Sequence, residues 1–402
     1  MFEIVEKEQR SPNGRTIIKV IGVGGAGGNA VDHMVREGVQ GVEFITANTD
    51  AQALTRCLAP VRIQLGTSGL GAGSKPEAGR AAAQESHDAI ATALADAHMC
   101  FITGGMGGGT GTGAAPVVAE IARELGILCV AVVTKPFDFE NRLRVAESGI
   151  EELSRYVDSL IVVLNDKLLE VYGDEATFEE CFRASDNVLC KAVGGISEII
   201  NAPGLVNVDF QDVRTAMGEM GRAMMGSAEA AGVDRARIAA EQAVGSPLLE
   251  GTELSGARCV LINITAAKGS LKLAEVKQAV HTVQAFAAPE AFVKYGTVFD
   301  DSMDDRLRVT VVATGLGAPR ARQEPPDIQV VRGTGTHGRA IYAGAGGFDD
   351  GDAIATPAVL RTNRRGGNGR TEPTSKSGGG GVVSSSATGT YDIPAFLRRQ
   401  AD

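Results

Sequence analysis

The chain has 402 residues, 44% of them hydrophobic and 22% charged, enough for two globular domains and a further segment. A formal net charge of −10 argues against non-specific nucleic-acid binding through a basic surface. The six cysteines form no C-x-x-C and no paired metal-ligand spacing, so no metal ligands are assigned, and they read as small core residues in a reducing compartment. Neither an apolar leader nor a run long enough to cross a bilayer occurs, so a cytoplasmic protein is expected.

Residues 1–15 read as a flexible arm. A strand is predicted at residues 17–23, a tight turn at 24–29, a helix at 30–36 and a strand at 42–47, which completes a βαβ unit. Within it Gly22-x-Gly24-x-x-Gly27, with Asp50 about twenty residues on, satisfies the dinucleotide fingerprint. A Rossmann-type oxidoreductase is therefore the alternative reading. A second glycine loop, Gly69-Leu70-Gly71-Ala72-Gly73, precedes a helical stretch over residues 76–95.

The third glycine loop organises the rest. An apolar run at residues 99–103 feeds Gly104-Gly105-Met106-Gly107-Gly108-Gly109-Thr110-Gly111-Thr112-Gly113, and a helical pattern follows to residue 125. Glycines at this density let backbone N–H groups and a helix N-terminus approach an anion, with phosphate the obvious guest. Thr110 and Thr112 add hydroxyls, and Thr112 suits a helix cap. Three such loops at strand ends of one sheet would converge on one crevice, which favours a nucleoside triphosphate over a dinucleotide. No Gly-Lys pair occurs, so the chain is not a P-loop protein, and the Asn-Lys-x-Asp guanine reader is absent.

A buried parallel strand is expected at residues 127–134, then a helix over 141–156 with Glu140 and Arg144 at one-turn spacing, and a strand at 159–164. A long helix over 178–202 places Phe182 and Asp186 on one face, an aromatic stacking surface beside a carboxylate that could accept guanine N1–H and N2–H. Residues 203–214 form a loop running into a helix, with Asp209 and Asp212 on one face. They suit a cap and a dipole partner, and equally the positioning of an attacking water beside a triphosphate. Strands at 257–265, 291–299 and 307–314, with a helix at 271–286, suggest a smaller α+β unit. Residues 318–388, rich in Gly, Pro, Arg, Ser and Thr, read as a disordered linker. In the last segment, 389–402, Ile393, Phe396 and Leu397 form an apolar stripe after Asp392 and Pro394, bait for a partner's groove.

The loop Gly107-Gly108-Gly109-Thr110-Gly111-Thr112-Gly113 resembles the tubulin-type signature, and the chain is similar to the FtsZ family of bacterial tubulin-like cell-division GTPases from about Ile18 to Gly317 and again at the tail. Asn48-Thr49-Asp50-Ala51-Gln52-Ala53-Leu54, Asn207-Val208-Asp209-Phe210 and Asp392-Ile393-Pro394-Ala395-Phe396-Leu397 also match. The resemblance implies an α/β fold: a Rossmann-like GTPase domain over 16–177, a central helix over 178–202 and a smaller α+β C-terminal domain over 203–317, with a disordered tail. It carries nucleotide binding to Gly25, Ala26, Gly27, Gly28, Asn29, Asn48, Gly71, Ala72, Gly73 and to Gly107 through Gly113, including Gly108, Gly109, Thr110, Gly111 and Thr112. Ribose and base contacts fall to Asn29, Glu140, Arg144, Phe182 and Asp186, with Asn187 able to exchange roles with Asp186.

It further implies GTP and GDP as ligands, Mg²⁺ on the β and γ phosphates, and head-to-tail self-assembly in which Asn207, Asp209 and Asp212 complete the neighbour's site. Tethering proteins of the FtsA and ZipA type would bind the tail and hold filaments at mid-cell, on the inner face of the cytoplasmic membrane. Two stretches, 64–73 and 141–149, are shorter than the family pattern, with Asn141-Arg142-Leu143 where Gly-Lys-Lys or Gly-Arg-Lys is usual. Retained GTP binding with altered turnover is expected from them.

Overall fold

Strands covered on both faces set the architecture. The structure, a computed structural model, describes residues 16–173, 177–201, 206, 208–218, 221–245 and 256–316, without the side chains of 169–172 and 178. The arm 1–15, Asn207, the linker 318–388 and the tail peptide lie outside the described residues.

In chain order the elements are β1 (Ile18–Val23), α1 (Gly24–Arg36), β2 (Val42–Asn48), α2 (Ala51–Arg56), β3 (Val61–Gln64), α3 (Pro76–Glu85), α4 (His87–Leu94), β4 (Met99–Gly105), α5 (Thr110–Glu124), β5 (Leu128–Lys135), α6 (Leu143–Leu153), β6 (Ser159–Leu164), α7 (Asn165–Tyr172), α8 (Phe178–Asn201), α9 (Phe210–Met217), β7 (Gly221–Ala231), α10 (Arg235–Val244), β8 (Cys259–Ala266), α11 (Leu273–Phe286), β9 (Phe292–Phe299) and β10 (Arg306–Leu316). They build one sheet in the order β3-β2-β1-β4-β5-β6-β7-β10-β8-β9. From β3 to β7 all pairings are parallel; β10 runs antiparallel to both β7 and β8, and β8 and β9 are parallel. The two halves of the sheet meet through Ser159↔Gly221, Leu160↔Arg222 and Ile161↔Ala223.

Alternation along each strand sends side chains to opposite layers. Ile21, Val23, Cys100, Ile102, Cys129 and Val133 join the core lined by α5, whereas Val20, Met99, Phe101, Val130 and Val132 join that lined by α1 and α8. Cys57, Cys100, Cys129, Cys181, Cys190 and Cys259 are free and buried, as expected of core residues, and burial pushes the Cys100 thiol up to about 12.

The structure departs from or adds to the sequence expectation at several places. The stretch 76–95 is two helices parted at Ser86, whose hydroxyl accepts the Gly66 N–H at 2.9 Å and so ties the break to the preceding loop. The helix expected from residue 141 begins at Leu143, because Asn141 adopts a left-handed φ of 55°. Asn165 opens α7, directly after β6, with its buried amide oxygen accepting from Ser185 Oγ at 3.1 Å. β7 extends through Gly-, Ala- and Met-rich sequence that carries no β-branched residue; its conformation comes from pairing along β10, not from propensity.

The second core, under β7 to β10, is closed by α10 and α11. Arg235, 4% exposed, joins them: Nε donates to Glu275 Oε1 at 2.8 Å, and its Nη atoms donate to the Ser270 and Asp305 carbonyls at 2.8 and 2.9 Å. Arg235→Met strands a partly buried carboxylate and two carbonyls. A loss of about 3 kcal/mol in unfolding free energy is expected, read from the denaturant midpoint.

Candidate functional site

β1 and β4 lie side by side although β2 and β3 intervene in sequence, so the chain leaves their carboxyl ends in opposite directions and opens a crevice there. The β4 exit is a glycine loop that runs into α5, whereas β1 passes directly into α1 at Gly24, so the turn expected at 24–29 is instead the helix's first turns; the N-termini of both helices face that crevice. The loops touch: a Cβ on Gly24 would lie 2.9 Å from Gly111 N, and one on Gly109 would lie 2.9 Å from the Ala72 methyl. Thr49 and Thr110 hydroxyls meet at 2.6 Å. The stretch 64–73 reaches the crevice, because Ala51 N donates to Gly69 O and Gly71 N to Thr49 O, each at 3.0 Å.

The glycines divide into two kinds. Gly25, Gly71, Gly73 and Gly108 have open space where a Cβ would stand. Gly27, Gly109, Gly111 and Gly113 are pressed against backbone, of Thr103, Lys75, Gly105 and Pro76 respectively, so packing alone already demands glycine there. Gly28 has only the Thr46 methyl near it, at 3.5 Å, and Gly107 holds a φ of +99° beside Pro136 and Arg142.

Other expected site residues are placed as follows. Ala26 and Asn29 are exposed on the first turns of α1. Asn48 is buried and its Oδ1 accepts Asp50 N at 3.2 Å. Thr112 is not a cap: α5 starts at Thr110, and the buried Thr112 hydroxyl accepts Gly107 N–H at 2.9 Å, which holds the loop's bend. Glu140 and Arg144 do not share a helix. Glu140 ends a short 3-10 turn, Asp138–Glu140, and its Oε1 accepts Phe137 N at 3.0 Å; after the left-handed Asn141, Arg144 is exposed in the first turn of α6.

Phe182 and Asp186 do share a face of α8. Phe182 is 38% exposed, its ring edge-on to Phe137 at 5.8 Å, and Phe137 stacks on Phe139 at 5.3 Å. Sequence reasoning missed this aromatic support, although Phe137-Asp138-Phe139 in an exit loop was its signal. Burial pushes the Asp186 carboxyl up to about 6, against the pull of Arg36. Asp50 caps α2: its Oδ1 accepts Gln52 N at 2.8 Å and Ala53 N at 3.3 Å.

Asp209 and Asp212 stand elsewhere. Asp209 caps α9, accepting Asp212 N at 2.7 Å. The Phe210 ring packs against His98, 6.2 Å between centroids, immediately before β4 begins. β4 then runs seven residues to the cradle, about 20 Å at ~3.3 Å per residue. Within one subunit the acidic pair and the glycine cradle therefore occupy opposite ends of the sheet.

Residues 17–173 match the model of the Tubulin/FtsZ family GTPase domain, and residues 221–317 that of the FtsZ family C-terminal domain. The chain is 50% identical to the cell division protein FtsZ of Pseudomonas putida, with 100% of both chains covered, and 48% identical to that of Coxiella burnetii, with 99% of both covered. Among solved structures it resembles an empty FtsZ dimer of M. jannaschii at a TM-score of 0.72 and 40% identity, over 76% of this chain and 89% of that one. The CetZ2 protofilament of Haloferax volcanii, at 0.65 and 21% identity over 76% and 94%, shares the fold. The oxidoreductase alternative finds no support in any of these matches. The chain belongs to the FtsZ family of tubulin-like cell-division GTPases.

Proposed function

We propose that this GTPase assembles head to tail, each subunit holding GTP in the cradle of its α1 and α5 loops while the next presents Asp209 and Asp212 to the γ-phosphate. The observation that carries this reading is the end-to-end separation of the two half-sites along β4. A contact that joins one end of a subunit to the opposite end of the next is heterologous and repeats without closing, which yields a filament. Backbone N–H groups of Gly25, Gly71, Gly73 and Gly108 would bind the phosphates, and the helix N-termini would offset their charge. Mg²⁺ is expected on the β and γ oxygens, a placement that needs no protein cage; among the described residues no group of three acidic, His or Cys side chains could hold a metal. Asn207 would join the acids in the neighbour's site.

Asp186 would accept guanine N1–H and N2–H, with Phe182 stacking on the base and Glu140 and Arg144 on the ribose side. The base needs an ionised acceptor, so affinity is retained above the Asp186 value and lost below it. With that value at about 6, GDP affinity is expected to fall about tenfold from pH 7 to pH 5. Calorimetric titration checks this, and Asp186→Asn should abolish the dependence.

The tail residues Asp392, Ile393, Pro394, Phe396 and Leu397 would bind membrane-tethering division proteins of the FtsA or ZipA type, holding filaments at the cytoplasmic face of the membrane at mid-cell. Among the described residues no helix is long and apolar enough to cross a membrane. The experiment that tests the shared site is GTP hydrolysis against protein concentration, alongside sedimentation. Phosphate release per subunit should rise steeply where pelleting begins. A flat rate would overturn the reading.

A further inference from the structure

Asp212 is held from across the fold. Lys294, on β9, donates through Nζ to Asp212 Oδ2 at 3.1 Å, a contact 82 residues apart in sequence. The two side chains are 35% and 32% exposed, so the pair lies at an open edge that another subunit can reach. The seat is built from both elements: Val206 pairs with Thr297, Val208 packs on Gly296, and the Lys294 ammonium lies 5.4 Å from the Phe292 ring centre. Asp209 Oδ1 is taken by Asp212 N and Asp212 Oδ2 by Lys294. Asp212 Oδ1 is thereby left without a hydrogen-bond donor among the described residues.

From this geometry, and resting on the shared-site reading above, we infer that Lys294 is a positioning residue for hydrolysis of the neighbour's GTP: it fixes the Asp212 carboxylate so that Oδ1 meets the attacking water. In that step the water oxygen forms a bond to the γ-phosphorus and the bond from phosphorus to the β–γ bridging oxygen breaks. Its electron pair leaves on GDP, and Oδ1 accepts the proton that the water loses before releasing it to solvent. The ammonium has a second effect. It lowers the charge of the acidic pair from −2 to −1 as the pair approaches a polyanion, which weakens the repulsion. An ordinary surface pair would leave turnover alone.

The test compares the full chain with Lys294→Met and Lys294→Arg, measuring sedimentation and phosphate release across protein concentration. Lys294→Met polymers are expected to release phosphate about tenfold more slowly per assembled subunit, with the critical concentration shifted less than about threefold, since misplacing a reacting group costs rate. Lys294→Arg, which keeps a donor and a charge, should recover most of the rate. Lys294→Met polymers turning over at the wild-type rate would overturn the assignment while the shared site stands. Equal loss of assembly in both variants would also overturn it, because Lys294 would then be structural. A wild-type rate per subunit independent of concentration would instead remove the shared site itself, and this inference with it.

Discussion

Asp212→Ala polymers are expected to hydrolyse GTP about 10²–10⁴-fold more slowly than wild type, the range lost when a positioned general base is removed. The monomer's own affinity for GTP should stay within about twofold, because Asp212 lies a β4 length, about 20 Å, from the cradle of the same chain. An equal mixture with wild type should keep about half the turnover, since half of the contacts still receive an intact acidic pair. Nucleotide titration, sedimentation and phosphate release on the same samples separate these outcomes. Asp212→Ala polymers that turned over at the wild-type rate would mean that hydrolysis does not depend on the acidic pair.

The second large effect concerns two glycines five residues apart in the same signature loop. Gly113→Ala should lower unfolding free energy by about 3 kcal/mol, the upper end of overpacking costs. A Cβ there runs into the Pro76 carbonyl and stands 2.8 Å from Arg80 N, backbone on both counts, so α3 and α5 must part. The usual gain of ~0.5–1 kcal/mol for alanine over glycine in a helix is too small to offset that. Gly108→Ala should do the reverse. Its Cβ meets nothing within 4 Å and its φ lies outside the left-handed region, so stability should hold within about 0.5 kcal/mol. The methyl would instead stand where a phosphate oxygen must come within ~2.9 Å of backbone N–H, and GTP affinity should fall at least tenfold. Thermal melts and nucleotide titration on both variants would reveal any reversal.

Much of the first half was legible because its strands are short apolar runs punctuated by glycine turns, the pattern of a parallel sheet covered on both faces. Residues 99–113 announced strand and phosphate loop together, and Phe182 with Asp186 was readable from helical spacing alone. β7 was not legible, since Gly, Ala and Met carry little strand preference and only β10 holds them extended. Nor were the separate local frames of Glu140 and Arg144, because nothing in Asn141-Arg142-Leu143 declares the left-handed residue between them.

The sequence by itself determined the class of chemistry: glycine loops before helices point to phosphate, and the motif at 107–113 falls within the matched GTPase domain. Tertiary structure alone decided which glycines stand beside open space and which are pinned by packing, because that depends on what lies opposite each Cα. It also decided that Asp209 and Asp212 stand a strand length from their own cradle and that Lys294 holds Asp212. Local pattern records what a residue's neighbours in sequence require; distances between ends of a sheet, and partners 82 residues away, exist only once the chain has closed on itself.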